Sequence, residues 1–255
     1  MNQQTVLYRA RRRRARRGRL LFALISAVLA AFLLFFLIKG ISGDTFRFLS
    51  DESIPPQDNV TLPQASGQSS SDLLLLVNPW HSVPEDYAVE LVDLKNGQAV
   101  DARCYDALQK MMDDCRSAGL SPVICSSYRT LEKQQALYDG QVDKLLAQGY
   151  SRQDAEAEAA AVVAVPGTSE HHLGLAVDIV DLENQNLDES QEDTPVQQWM
   201  LEHCWEYGFI LRYPGEKSDK TGIVYEPWHY RYVGKEAAEA IHRQGICLEE
   251  YLERL

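Results

Sequence analysis

The chain reads as an α+β protein on three observations. Its strand-like apolar runs are few, the stretches between them carry helical periodicity, and the two kinds of element follow one another in no regular alternation. With 255 residues and 45% hydrophobics, one fair-sized core can form.

The N-terminus stands apart. Residues 1–19 hold eight arginines and no acid, so a net charge of −12 for the whole chain leaves −20 on the remainder. An acidic body of that kind lacks the basic footprint of a nucleic-acid binder. Leu20–Ile38 is apolar apart from Ser26 and ends at Lys39. As a helix rising about 1.5 Å per residue it spans roughly 30 Å of hydrocarbon. Arginines before it and few cations after it place residues 1–19 in the cytoplasm. A cleaved signal peptide is the competing reading, but its apolar region is shorter and ends in small residues, and Ile38–Gly43 makes a poor cleavage site. The expectation is therefore a retained transmembrane anchor over 20–38, with the rest of the chain beyond it outside the membrane. Residues 39–71 read as a linker, because Ile54–Ser71 is rich in Pro, Ser and Gln and has little to bury.

The folded domain is expected over 72–255. Leu73–Val77 is a short apolar run, a strand or the end of one. Val100, Cys104, Leu108, Met111, Cys115 and Ala118 recur at helical spacing before Gly119, which predicts an amphipathic helix over Asp101–Ala118. Pro122–Ser126 reads as a buried strand. Thr130 caps a helix running to about Gln148, with Leu131, Leu137, Leu145 and Leu146 expected toward the core. Ser151-Arg-Gln-Asp154 resembles a capping box for an alanine-rich helix that stops before Pro166-Gly167. Leu175–Val180 reads as a strand. Thr194-Pro195 and Gly208 bracket a helix with Trp199, Met200 and Cys204 as its stripe. Phe209–Tyr213 and Val224–Val233 are predicted strands, and the tail from Lys235 is helical.

Five cysteines, Cys104, Cys115, Cys125, Cys204 and Cys247, sit in a compartment that permits disulfides. Cys104 and Cys115 lie about three helical turns apart, too far to bridge. Between a Cys204–Cys247 bridge and buried free thiols the residues do not decide.

The chemistry concentrates in two stretches, Ser169–Asp178 and Glu226-Pro-Trp-His229. His171, Asp178 and His229 supply two imidazoles and a carboxylate, which leaves the fourth position of a tetrahedral Zn²⁺ site open, as a catalytic site requires. Glu226 is then left as general base. Gly174 permits a sharp turn that folds His171 back toward Asp178. In a regular strand Glu226 has the wrong parity to share a face with His229, and Pro227 marks a bulge or edge that brings it round. The helical His-Glu-x-x-His pattern is missing, which excludes a thermolysin-like site. Trp228 either packs or lines a substrate cleft.

Ser169-x-His171-x-x-Gly174-x-Ala176-x-Asp178, followed by Glu226-Pro-Trp-His229-Tyr-Arg-Tyr-Val-Gly234, resembles the VanY-type D-alanyl-D-alanine carboxypeptidases. The resemblance extends to Leu76-Val-Asn78, Pro84-Glu-Asp-Tyr87 and Ser126-Ser-Tyr-Arg129-Thr with Gln134, and spans roughly 73–234. It implies a central, mainly antiparallel sheet flanked by helices, like the hedgehog and D-Ala-D-Ala peptidases. The motif spacing selects His171 over its neighbour His172. The resemblance further implies that Arg129 is functional and that Gln134 and Ser169 contact the substrate; as a cation, Arg129 is suited to stabilise the developing oxyanion. The implied activity is zinc-dependent removal of terminal D-Ala from a peptidoglycan stem peptide.

Two rivals remain at this level. One is a D,D- or L,D-endopeptidase or L,D-carboxypeptidase on the same polymer, since loops such as Leu182–Thr194 set specificity. The other is a non-catalytic, zinc-stabilised cell-wall binding domain, against which Glu226 and Arg129 speak because a binder needs neither. The sequence carries no signal for oligomeric state.

Overall fold

The computed structural model describes residues 73–255. The expected anchor over 20–38 and linker over 39–71 lie outside them, and among the described residues no helix is long and apolar enough to cross a membrane. Leu73–Val77 forms no strand. Instead, strands Leu91–Asp93 (β1) and Ala99–Asp101 (β2) make an antiparallel hairpin that the sequence reading missed. Gly97 turns it at φ 77°, with Gln98 N–H on the Asn96 side chain.

Helix α1, Ala102–Ser117, starts where expected because the Asp101 carboxylate accepts from Arg103 N–H. Strand β3 is Pro122–Ser126. Helix α2, Leu131–Ala147, is capped by Thr130, and helix α3, Arg152–Ala160, by Ser151, whose hydroxyl also meets the Asp154 carboxylate at 2.8 Å. The predicted inner face of α2 holds for its second half only: Leu131 and Leu137 are exposed, while Gln134 and Val142 are buried. The helix packs on α3 through Val142, Ala155 and Ala159, a small satellite cluster that Leu145 and Leu146 only flank. Strand β4, Ala176–Asp181, is buried throughout. Helix α4, Pro195–His203, continues as a 3₁₀ turn, Cys204–Tyr207, to Gly208. Strand β5 is Phe209–Leu211, α5 is the short Ser218–Thr221, β6 is His229–Tyr232, and α6 (Lys235–Gln244) and α7 (Leu248–Leu252) close the chain. The strand predicted over Val224–Val233 is thus cut to its second half. All five cysteines are free, so no Cys204–Cys247 bridge forms.

The main sheet has the order β3-β4-β6-β5, and every neighbouring pair is antiparallel. Alternation sends Val177, Ile179 and Tyr230 into the principal core with Leu108, Met111, Val196 and Met200. The same alternation sends Ala176, Asp178, His229 and Arg231 to the opposite face. Buried there, Asp178, His229 and Arg231 must find polar partners.

One glycine is needed to reach that face. Gly174 ends the 3₁₀ turn Glu170–Leu173 at φ 70°, and a Cβ there would lie 3.0 Å from both Asp101 N and Val89 Cγ2. Gly245 has a similar φ of 61° with nothing within 4 Å. Gly174→Ala is expected to cost about 1–3 kcal/mol, and Gly245→Ala about 1 kcal/mol from the backbone alone. Urea denaturation compares the two; equal losses would mean that the approach to β2 does not matter.

Candidate active site and metal centre

The register of the sheet assembles the site. In the β4–β6 pairing Asp178 lies opposite His229, and in the β3–β4 pairing Ser126 lies opposite Asp178 after a bulge between Ile124 and Ser126. Three strands therefore bring Ser126, Asp178 and His229 side by side. His171 arrives from the turn before β4, its Nε2 3.4 Å from Asp178 Oδ2. His229 Nδ1 lies 3.2 Å from Asp178 Oδ1, and the two imidazoles stand edge to face with centroids 4.8 Å apart.

One donor atom from each of His171, Asp178 and His229 lies within 4.8 Å of the others, and all three residues are buried. Asp178 Oδ1 is a buried oxygen with no hydrogen-bond partner, as suits a ligand atom reserved for a cation. His171 Nδ1 lies 2.7 Å from the Ser127 carbonyl, so it carries the proton and leaves Nε2 free. Two imidazole nitrogens and a carboxylate oxygen suit a divalent ion such as zinc, with room for a fourth ligand.

His172 faces elsewhere. Its Nδ1 sits 2.8 Å from the Arg129 carbonyl and its Nε2 accepts from Gly167 N–H, so it ties the 165–169 loop to the chain after β3.

Glu226 is not on a strand. The chain turns at Pro227-Trp228, His229 N–H donates to the Glu226 carbonyl, and β6 begins only at His229. Strand parity does not apply, and the Glu226 Oε2 reaches within 3.6 Å of His229 Nδ1. Arg129 donates through Nη2 to Asp178 Oδ2 at 2.6 Å, through Nε to Ser126 Oγ at 2.8 Å and through Nη1 to Gln134 Oε1 at 3.2 Å. Gln134 passes the chain on through Nε2 to the Ala164 carbonyl. Ser169 Oγ accepts from His171 N–H and caps the turn. Arg129, Gln134, Ser169, Glu226 and the three cluster residues, with Trp228, Leu187 and Tyr213, line one cavity of about 140 Å³.

The electrostatics separate the carboxyls. Burial raises Asp178, but His171, His229 and Arg129 outweigh it and hold the carboxylate well below its usual range. Burial lifts Glu226 to about 8, with His229 pulling only partly the other way. Burial and the Arg129 charge push His171 down to about 4, so it is neutral. Burial also pushes His229 down, yet the facing carboxylates of Asp178 and Glu170 prevail and carry it to about 9 in the metal-free protein.

Sequence reasoning missed the layer behind His229. Glu170 Oε2 lies 3.5 Å from His229 Nε2, and Glu170 Oε1 accepts from Arg212 Nε at 2.7 Å and Arg231 Nη1 at 2.8 Å. It also missed Tyr213, whose ring packs on His229 with centroids 4.7 Å apart. A signal was present: Arg212 and Arg231 interrupt otherwise apolar and aromatic runs, and a buried arginine demands a carboxylate.

Comparison with known proteins agrees in kind. The family model described as VanY, D-alanyl-D-alanine carboxypeptidase, matches residues 97–235. A D-alanyl-D-alanine carboxypeptidase of Enterococcus faecalis is 45% identical over 199 residues, covering 78% of this chain and 72% of that protein. Two solved structures align with TM-score 0.66. One is a mutant of the vancomycin resistance D,D-pentapeptidase VanY from a VanB-type cassette in complex with Zn(II), 47% identical over 71% of this chain and 99% of that one. The other is VanYB in complex with D-alanine-D-alanine, 48% identical over 71% of this chain and 97% of that one. Both share the α+β arrangement of antiparallel sheet and helices.

For Nδ1 of His229 to coordinate a cation, the imidazolium would first have to lose a proton. With the metal-free group near 9, the imidazolium predominates at neutral pH, and Zn²⁺ held by this nitrogen would displace its proton. Apparent zinc affinity is expected to rise about tenfold per pH unit from 6.5 to 8.5 and to flatten above 9. Chelator competition at several pH values measures it, and a flat profile would mean His229 is already neutral without metal.

Proposed function

We propose that this chain, which belongs to the VanY D-alanyl-D-alanine carboxypeptidase family, is a zinc-dependent carboxypeptidase that removes the terminal D-Ala from peptidoglycan stem peptides. The observation that carries this reading is the placement of Glu226 at 3.6 Å from His229 Nδ1, in the same buried cavity as His171 and Asp178.

His171 Nε2, Asp178 Oδ1 and His229 Nδ1 would hold the zinc, which supplies Lewis-acid polarisation of the scissile carbonyl and a lowered pKa for water. Glu226 accepts the proton of the attacking water and returns it to the departing amine. Its enclosed position raises its proton affinity in the metal-free protein, which suits a group that must take up a proton and give it back. Arg129 commits three of its five N–H donors to Asp178, Ser126 and Gln134, and the remaining two are available to a substrate oxygen that gains negative charge. Ser169, Gln134 and Trp228 border the space the peptide end would enter. Their direct roles differ, because Ser169 and Gln134 already hold the turn and the guanidinium in place.

The remaining proposal concerns location. Leu20–Ile38 anchors the chain in a membrane with its arginine-rich start inside, and residues 39–71 tether the 72–255 domain within reach of the polymer outside. Protease added to intact cells should remove the domain and spare the first residues. A mature N-terminus beyond Ile38 would overturn the anchor.

Glu226→Gln keeps shape and hydrogen-bonding reach but cannot take the proton. The variant should bind zinc like the parent while turnover of a pentapeptide falls by 10²–10⁴, roughly 3–5 kcal/mol of barrier. Mass spectrometry follows D-Ala release from pentapeptide and tetrapeptide in parallel. Cleavage of the tetrapeptide alone would reassign the chain as an L,D-carboxypeptidase, and turnover within about threefold of the parent would remove Glu226 as base.

A further inference from the structure

Among the described residues, the charged groups behind the candidate metal cluster form a buried network that the proposed reaction does not use. Glu170, Arg212 and Arg231 are all buried to within 1%. Arg212 spans two carboxylates, donating to Glu170 Oε1 through Nε and to both oxygens of Glu249 through Nη1 and Nη2 at 2.9 and 2.7 Å. Asn78 Nδ2 also donates to Glu249 at 3.2 Å. Arg231 reaches Glu170 Oε1 through Nη1, and its other donors go to the carbonyls of Leu73, Leu75 and Tyr232.

Every bond to Glu170 therefore falls on Oε1. Oε2 is buried without a hydrogen-bond partner, and so is His229 Nε2; the two lie 3.5 Å apart, at the outer edge of hydrogen-bond distance. A buried, ionised carboxylate oxygen cannot face a lone pair at that range without cost, so it selects the His229 tautomer that places the proton on Nε2. The neutral ring then has no proton on Nδ1, the nitrogen that faces Asp178 and Glu226.

We propose that Glu170 is the positioning residue of the metal centre: two arginines fix its carboxylate so that it holds His229 in the Nε2–H tautomer and keeps Nδ1 open to the metal. The assignment rests on the reading of His171, Asp178 and His229 as metal ligands. Glu170 touches neither substrate nor metal and acts only through His229. Its neighbours in sequence, Ser169 and His171, face the cavity, while Glu170 faces the arginines.

Glu170→Gln inverts the selection. If its amide oxygen keeps the arginines, its NH₂ faces His229 and favours a lone pair on Nε2, which puts the proton on the metal-facing nitrogen. Zn²⁺ affinity, read by chelator competition, is expected to fall 10–100-fold, the usual effect of removing such a partner, with a changed visible spectrum of the Co²⁺-loaded protein. Glu249→Gln disturbs the same arginine network one residue further from the ring and should cost stability while leaving Zn²⁺ affinity within about threefold. Equal losses in both variants, or unchanged affinity in Glu170→Gln, would overturn the proposal. Should Glu170→Gln not fold, the zinc-loaded parent decides: histidine ¹⁵N–¹H correlation should show His229 with a protonated, slowly exchanging Nε2 and a metal-bound Nδ1. A zinc-bound parent with His229 protonated on Nδ1 would overturn the Glu170 assignment alone. No zinc binding by the parent would overturn the metal reading and the assignment with it.

Discussion

The pairing of Asp178 with His229 across β4 and β6 is the constraint on which the site depends. A slip of one residue would turn every side chain of one strand to the other face, sending Asp178 into the apolar core and Val177 into the cavity. Packing resists that slip, because Val177, Ile179 and Tyr230 fill the principal core opposite α1 and α4. The apolar face thus holds the polar one in register. Tyr230 adds a hydroxyl bond to Gln197 at 2.6 Å, and Gln197 in turn donates to the Ile179 carbonyl between the strand and α4.

Around that pairing, groups with no regular secondary structure are brought in by backbone bonds. The Ser127 carbonyl orients His171, Arg129 N–H donates to the His171 carbonyl, and the Arg129 carbonyl receives His172. The stretch after β3 and the turn before β4 are therefore one tied unit. Gly174 lets that unit sit against the β2 end, where Asp101 N–H donates to the Gly174 carbonyl.

Legibility in the sequence followed how local each cause was. Helix starts at Asp101, Thr130, Ser151 and Thr194 were readable because a cap is a bond between residues two or three apart. The convergence of His171, Asp178, Glu226 and His229 on one cavity was readable as a spacing of residue types. The inward face of α2 was readable only in its second half, because its partner is α3 rather than the main core, and leucine spacing does not say which neighbour a helix meets. The strand over Val224–Val233 was overdrawn because alternation continues through Pro227, whereas the backbone turns there. The β1–β2 hairpin carried its signal in Asn96-Gly97, a strong turn pair between two short strands. Glu170 was hidden for a different reason. It stands between two cavity residues, and only the three-dimensional placement of Arg212 and Arg231 shows which way it points.

The two buried carboxylates at the centre share one arrangement. Asp178 gives Oδ2 to Arg129 and leaves Oδ1 without a hydrogen bond, facing His229 Nδ1. Glu170 gives Oε1 to two arginines and leaves Oε2 facing His229 Nε2. Arg212 and Arg231 keep Glu170 ionised, and the two imidazoles together with Arg129 keep Asp178 ionised, where burial alone would protonate them. The free oxygen then acts on the imidazole from one side or the other. Glu226 has no arginine among its hydrogen-bonding partners, and it is the one carboxyl of the three that burial carries upward, to about 8. The contrast is one of environment: the two carboxylates bonded to arginine are held charged, and Glu226, which has no such bond, is the one whose proton affinity burial raises, in keeping with the base role proposed for it.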